Sequence, residues 1–223
     1  MDLIIFDLDG TLVDSMSYWR NLTIDFLGAR NLKISTEVLH FLNTYNLKLS
    51  IGFLKDYYKL RESFDQLYSE FDNRIIDFYS NKVKLKDGAL KILKYFKERG
   101  LKIVLGTSTN EEYARIPLEK FGLKKYVEDI NTVENIGTTK NKAEFFHILC
   151  KKYGILEKSS YLVDDSFIAL RSAKEAGLVT IGIYDENSKD TWEDIKRENP
   201  HSIKNLLDLK NIWNYFTFSL LEP

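Results

Sequence analysis

Two aspartates one residue apart, Asp7 and Asp9, follow directly on the apolar run LIIF, and Asp14 completes the stretch FDLDGTLVDS. Like charges at that spacing repel, and carboxylates at the end of a buried strand are costly unless a cation or ligand compensates them. A second acidic pair, Asp164 and Asp165, follows the apolar YLV, and a hydroxyl cluster of Thr107, Ser108 and Thr109 follows KIVLG. Lys140 lies in the turn GTTKNK, just ahead of a helical pattern. Carboxylates gathered in this way suit Mg²⁺, a hard cation that takes oxygen ligands and keeps waters and a substrate phosphate in its octahedral shell. One carboxylate of such a set can attack phosphorus, and a second can act as general acid and then as base. A hydroxyl and a lysine ammonium can hold phosphoryl oxygens as their charge redistributes.

These residues can meet only if the elements before them end at one place. Residues 3–6 read as a strand covered on both faces of a parallel sheet, and similar apolar runs occur at 102–105, 161–163 and 178–183. Helical patterns at 87–99, 141–153 and 166–176 alternate with them, which predicts an α/β, Rossmann-like, doubly wound parallel sheet. In such sheets ligands bind outside the carboxyl ends of the strands, where all the residues above fall. Residues 15–84 break the alternation with helical spacing and aromatic-rich apolar faces, so they read as an inserted helical domain in a core made of 1–14 and 85–223. Within the insertion Ser63 is an expected N-cap, and the stripe Phe64, Tyr68, Phe71, Phe78 and Tyr79 reads as bundle packing ahead of a ligand surface. Pro117 predicts a helix that starts after it or bends at it. Residues 190–199 read as one helix and 201–209 as a last strand or turn.

FDLDGTLVDS resembles the first motif of the haloacid dehalogenase-like (HAD) phosphatases, DxDGT with a following DS. KIVLGTST resembles the second motif, Lys140 the third and YLVDDSFIALRSAKEAG the fourth, all in the family's order. The insertion falls where the helical C1-type cap sits in members of the β-phosphoglucomutase and phosphoglycolate phosphatase type. The resemblance implies that Asp7 is the nucleophile, Asp9 the acid/base, Thr107 a phosphoryl-binding group with Ser108 beside it, and Lys140 the residue that orients the phosphoryl group and Asp7. It further implies Mg²⁺ held by Asp7, the backbone carbonyl of Asp9 and Asp165. Asp164, at a position where β-phosphoglucomutase-like members carry Glu, would be a further ligand. Two departures stand out: Ala169 occupies the place of a second motif-four carboxylate, and Asn141 replaces a proline often found after the lysine. The activity implied is Mg²⁺-dependent hydrolysis of a small phosphomonoester, with sugar phosphates as one candidate class, through an aspartyl-phosphate. The alternatives are a phosphosugar mutase, against which Trp19 stands where that enzyme type carries a cap histidine, and a catalytically silent binding module on the same fold. Asp9 argues against dehalogenases and phosphonoacetaldehyde hydrolases, which resemble this pattern but lack that acid.

Composition narrows the remaining classes. With 44% hydrophobic and 29% charged residues, the 223-residue chain reads as an ordinary soluble globular protein. Its 32 basic and 33 acidic residues leave no field to draw it to nucleic acid or an anionic membrane; the resemblance implies a small phosphorylated metabolite as partner, and a monomeric state is expected. Cys150 is the only cysteine and reads as core, and no leader-like segment or long apolar run is seen, so a cytoplasmic location is expected. His40, His147 and His201 lack ligand spacing, and no GxGxxG follows the first strand. Asp14 is read as the cap of a helix starting near Ser15. Lys48, Lys55, Tyr57, Tyr58 and Arg61 are candidates for the leaving group that read first as solvated side chains.

Overall fold

The computed structural model describes residues 2–44 and 47–219, apart from the side chains of residues 40, 43, 44 and 217–219. The expectation for His40 therefore lies outside the described residues. In chain order come β1 (Leu3–Phe6) and β2 (Val13–Asp14), then α1 (Met16–Gly28), α2 (Thr36–Thr44), α3 (Leu47–Tyr58) and α4 (Phe64–Asp77), which runs into a π-helical turn at Phe78–Lys82. The chain continues through β3 (Lys84–Leu85), α5 (Ala89–Glu98), β4 (Lys102–Thr107), α6 (Glu111–Lys120), β5 (Asp129–Thr132), α7 (Val133–Ile136) and α8 (Ala143–Tyr153). It ends with β6 (Ser160–Asp164), α9 (Phe167–Glu175), β7 (Val179–Gly182), α10 (Trp192–Glu198) and α11 (Leu209–Ser219). By compactness the chain divides into two units, one running to Met16 and resuming at Val83, the other spanning Ser17–Lys82.

In the first unit β5, β4, β1, β6 and β7 form one sheet in that order, with every pairing parallel. Ile5 lies opposite Val104 on one side and Leu162 on the other. The order reverses at β1, the switch point at which doubly wound sheets open a crevice. Leu3 and Ile5 point to a core of Phe145, Phe146 and Leu149 from α8, Leu170 from α9 and Ile195 from α10. On the opposite face Phe6 packs 6.3 Å from Phe96 of α5, which meets Trp213 of α11 edge-on at 5.5 Å. Both faces are thus dry, and β1 is apolar along its whole length because it has no solvated side. Cys150 is buried in this core.

The second unit packs Phe26 of α1 against Phe71 of α4 at 4.5 Å and stacks Tyr18 on Phe78 at 3.9 Å. Of the aromatic stripe, Phe71, Phe78 and Tyr79 are buried and Phe64 is exposed, so most of it serves packing. Ser63 caps α4 through a reciprocal pair with Gln66, each side chain bonded to the other's backbone N–H. Arg30 binds Glu62 and Glu70, and Arg74 binds Glu70 in turn.

Three local readings need correction. The pattern missed β5, because DINT carries Asn131 buried in a strand: its amide donates to Leu105 O and Tyr153 Oη, which satisfies a polar group that hydropathy counts against burial. α6 starts six residues before Pro117, which overturns a start after it, and the helix continues to Lys120; burial of Tyr113, Ala114, Pro117 and Leu118 outweighs the one backbone donor that proline lacks. Segment 201–209 is neither strand nor simple turn: Ile203 makes a single bridge to Ile183, followed by a 3₁₀ turn at Leu206–Asp208 and the start of α11.

Gly182 ends β7 beneath α10, where a Cβ would stand 2.3 Å from Ile195 Cγ2. Gly182→Ala should therefore overpack this contact and cost about 1–3 kcal/mol, read as a lower urea midpoint at unchanged slope.

Candidate active site

β1 delivers Asp7 to the sheet edge, and the Asp7 N–H still bonds to Val163 O of β6 at 3.0 Å. The chain then folds back on itself: Leu12 N and Val13 N donate to Leu8 O, and Gly10 N donates to Val13 O. Gly10 turns at φ +80°, and a Cβ there would lie 2.6 Å from Asp165 Oδ2. Only glycine meets both the left-handed backbone and the close approach of that carboxylate.

Asp7, Asp164 and Asp165, all buried, offer carboxylate oxygens that lie within 4.8 Å of one another. Lys140, also buried, reaches in from the loop before α8 and places Nζ 2.6 Å from Asp7 Oδ1 and 2.7 Å from Asp164 Oδ2. Asp164 Oδ1 accepts from Ser166 N at 2.8 Å, at the start of α9. One ammonium among three carboxylates leaves the group short of positive charge. Burial, set against Lys140 and reinforced by Asp164, Asp165 and Asp9, holds the Asp7 carboxyl well above the usual range. Burial and the neighbouring Asp164 push Asp165 up to about 7, while a bond from Ser188 pulls the other way. For Lys140 burial works against the charge, but Asp164 and Asp7 outweigh it and raise its pKa. An all-oxygen donor set with unbalanced negative charge fits a hard divalent cation such as Mg²⁺.

Asp9 stands apart from these three carboxylates. Its Oδ1 accepts from Ser15 Oγ at 2.5 Å and its Oδ2 from Thr109 Oγ1 at 2.6 Å. Thr107 is buried at the end of β4, and its Oγ1 accepts from Thr109 N at 3.1 Å, so Thr109 ties the second loop to the first. Ser108 is exposed. Asp14 is exposed in β2 opposite Lys84, one residue too early to cap α1; that place falls to Ser15, whose hydroxyl turns to Asp9. Ala169 is buried on α9.

Sequence reasoning grouped Thr109 with the hydroxyls that follow β4 and had Ser15 at the end of the first motif, but it linked neither to Asp9 and did not single out Ser188. Ser188 Oγ donates to Asp165 Oδ2 at 2.7 Å from a segment with no motif to flag it. In the helical unit, Trp19 Nε1 donates to Tyr79 Oη at 3.0 Å. Lys55 Nζ donates to Leu60 O and Glu62 O, Tyr58 Oη donates to Lys33 O, and Tyr57 Oη is 3.2 Å from Ser35 Oγ. Three of the candidates for a leaving group thus make bonds internal to the helical unit.

Among relatives, the chain is 26% identical over 224 residues to the glyceraldehyde 3-phosphate phosphatase of Methanocaldococcus jannaschii, covering 94% of this chain and 95% of that one. It is 22% identical to the phosphorylated carbohydrates phosphatase of Thermotoga maritima, over 81% and 84% of the two chains. Its fold is shared with a predicted phosphoglycolate phosphatase from Haemophilus somnus (TM-score 0.75, 20% identity, 95% and 97% covered). The β-phosphoglucomutase of Clostridium difficile shares it too (TM-score 0.73, 17% identity, both chains covered in full). Residues 4–183, which hold the sheet, the helical insertion and all four motifs, match the family model of the haloacid dehalogenase-like hydrolases, and the chain belongs to that family.

Proposed function

We propose that the chain is a Mg²⁺-dependent phosphatase that hydrolyses a small phosphomonoester through a phospho-Asp7 intermediate. The observation that carries this reading is Asp7 itself, fixed through Oδ1 by Lys140 in a buried carboxylate group that lacks compensating charge. With Oδ1 held, Oδ2 is the oxygen directed at phosphorus. The P–O bond to the leaving group breaks as the Asp7 Oδ2–P bond forms, and Asp9 gives a proton to the departing oxygen. Asp9 then takes a proton from water, whose oxygen displaces Asp7 and releases inorganic phosphate. Ser15 and Thr109 keep the Asp9 carboxyl aimed through both steps. Thr107, Ser108 and Lys140 hold phosphoryl oxygens. Asp7, Asp165 and the backbone carbonyl of Asp9 would hold the metal, with Asp164 as a further ligand. When bound, Mg²⁺ offsets the repulsion between Asp7 and the phosphoryl oxygens.

Phosphorylated carbohydrates and a triose phosphate are what two relatives are named for, which supports a small sugar phosphate as substrate. The net charge of −1 favours such a metabolite over nucleic acid, and no described helix is long and apolar enough to cross a membrane.

Asp7→Asn should cut kcat on an aryl phosphate by about three orders of magnitude or more. EDTA should abolish turnover and added Mg²⁺ restore it; full activity in Asp7→Asn would sink the reading. The raised pKa of Asp165 gives metal binding a direction with pH. Below about 7 a proton occupies Asp165, so Mg²⁺ must displace it. Mg²⁺ affinity should climb as pH rises from 5.5 to 7.5 and then level off, with proton release seen by calorimetry in buffers of different ionisation enthalpy. Affinity flat across that range would contradict the assignment.

A further inference from the structure

Asp165 has a partner that none of the four motifs supplies. Ser188 Oγ donates to its Oδ2 at 2.7 Å. Ser188 belongs to the 3₁₀ segment Glu186–Thr191, which lies beyond residue 183, where the family match ends. That segment is braced at its start: Asp185 Oδ1 accepts from Asn187 N at 2.9 Å, and buried Asp185 Oδ2 is paired with Lys86 Nζ at 2.6 Å. Lys86 is tied to the motif-one turn, its backbone N–H donating to Leu12 O at 2.9 Å. Thr191 Oγ1 closes the segment on Ser188 O at 3.0 Å. The hydroxyl is thus held on a frame anchored in the same turn that presents Asp7 and Asp9.

We infer that Ser188 is a positioning residue for Asp165, holding Oδ2 so that Oδ1 is the oxygen turned to a divalent cation. The need for it is local. Asp164 is engaged by Lys140 and Ser166 N, and the hydroxyl that meets Asp165 Oδ2 comes from outside the motifs. Hydrogen-bond partners of metal ligands set ligand orientation, and losing one commonly costs about 10–100-fold in metal affinity. This inference rests on the metal-dependent reading above.

The test is calorimetric titration of Mg²⁺ into the full metal-free chain, with thermal unfolding as a check on folding. Ser188→Ala should weaken Mg²⁺ about 10-fold or more, and Ser188→Thr, which keeps the hydroxyl, should restore most of the affinity. In turnover assays the Mg²⁺ concentration for half-maximal rate should rise in Ser188→Ala while KM for an aryl phosphate at saturating Mg²⁺ stays put. Asp165→Asn serves as the control. If the parent binds Mg²⁺, Asp165→Asn loses it and Ser188→Ala binds as the parent does, the role of Ser188 alone is overturned. A parent that takes up no Mg²⁺, or an Asp165→Asn that binds as well as the parent, overturns the metal reading and this inference with it. Equal loss in Ser188→Ala and Ser188→Thr also counts against the hydroxyl.

Discussion

A buried lysine between two buried aspartates is the interaction on which the rest of this structure turns. Lys140 meets both Asp7 and Asp164 within 2.7 Å, in surroundings dry enough that removing one partner of such a pair costs about 3–5 kcal/mol. Yet the ammonium neutralises only part of the charge it faces, because Asp165 joins the same group. The fold is organised to hold this imbalance. Three parallel strands end side by side so that Asp7, Thr107 and Asp164 leave the sheet at one edge. Strand β1, apolar on both faces, keeps that edge from shifting.

Around this centre the carboxylates are handled in different ways. Asp7 and Asp164 share the Lys140 ammonium, Asp165 lies against a glycine and a serine, and Asp9 accepts from two hydroxyls. Chemically similar side chains thus sit in distinct environments, which is how one site can ask different things of identical groups. Their partners come from five separate stretches of chain, so the arrangement belongs to the folded sheet edge and to no single motif.

Much of this was legible in the sequence, for identifiable reasons. Leu3–Phe6 read as a strand because burial on both faces leaves an unbroken apolar run, and Asp7 and Asp164 drew notice because ionic groups beside such runs demand compensation, whereas Lys140 was marked by its place in the turn before a helix and its resemblance to the third motif. Ser63 was found because a capping box is a local signal. What stayed hidden depended on distant partners. β5 is an edge strand whose buried Asn131 is satisfied by Leu105 and Tyr153, and no window along the chain contains that pairing. The bonds from Thr109 to Asp9 and from Ser188 to Asp165 escaped for the same reason: a hydroxyl has no intrinsic marker for the carboxylate that lies 100 or 23 residues away in the chain.

The short ladder between β2 and β3, Val13 opposite Leu85 and Asp14 opposite Lys84, bears on how such a protein can change. It brings the point where the chain leaves the sheet unit next to the point where it returns, so the cost of closing that gap is met by the core alone. Since closure entropy grows only with the logarithm of loop length, what is spliced between these two positions is nearly free to vary in size and sequence. Evolution can therefore exchange the insert as a cassette while the sheet unit is inherited intact.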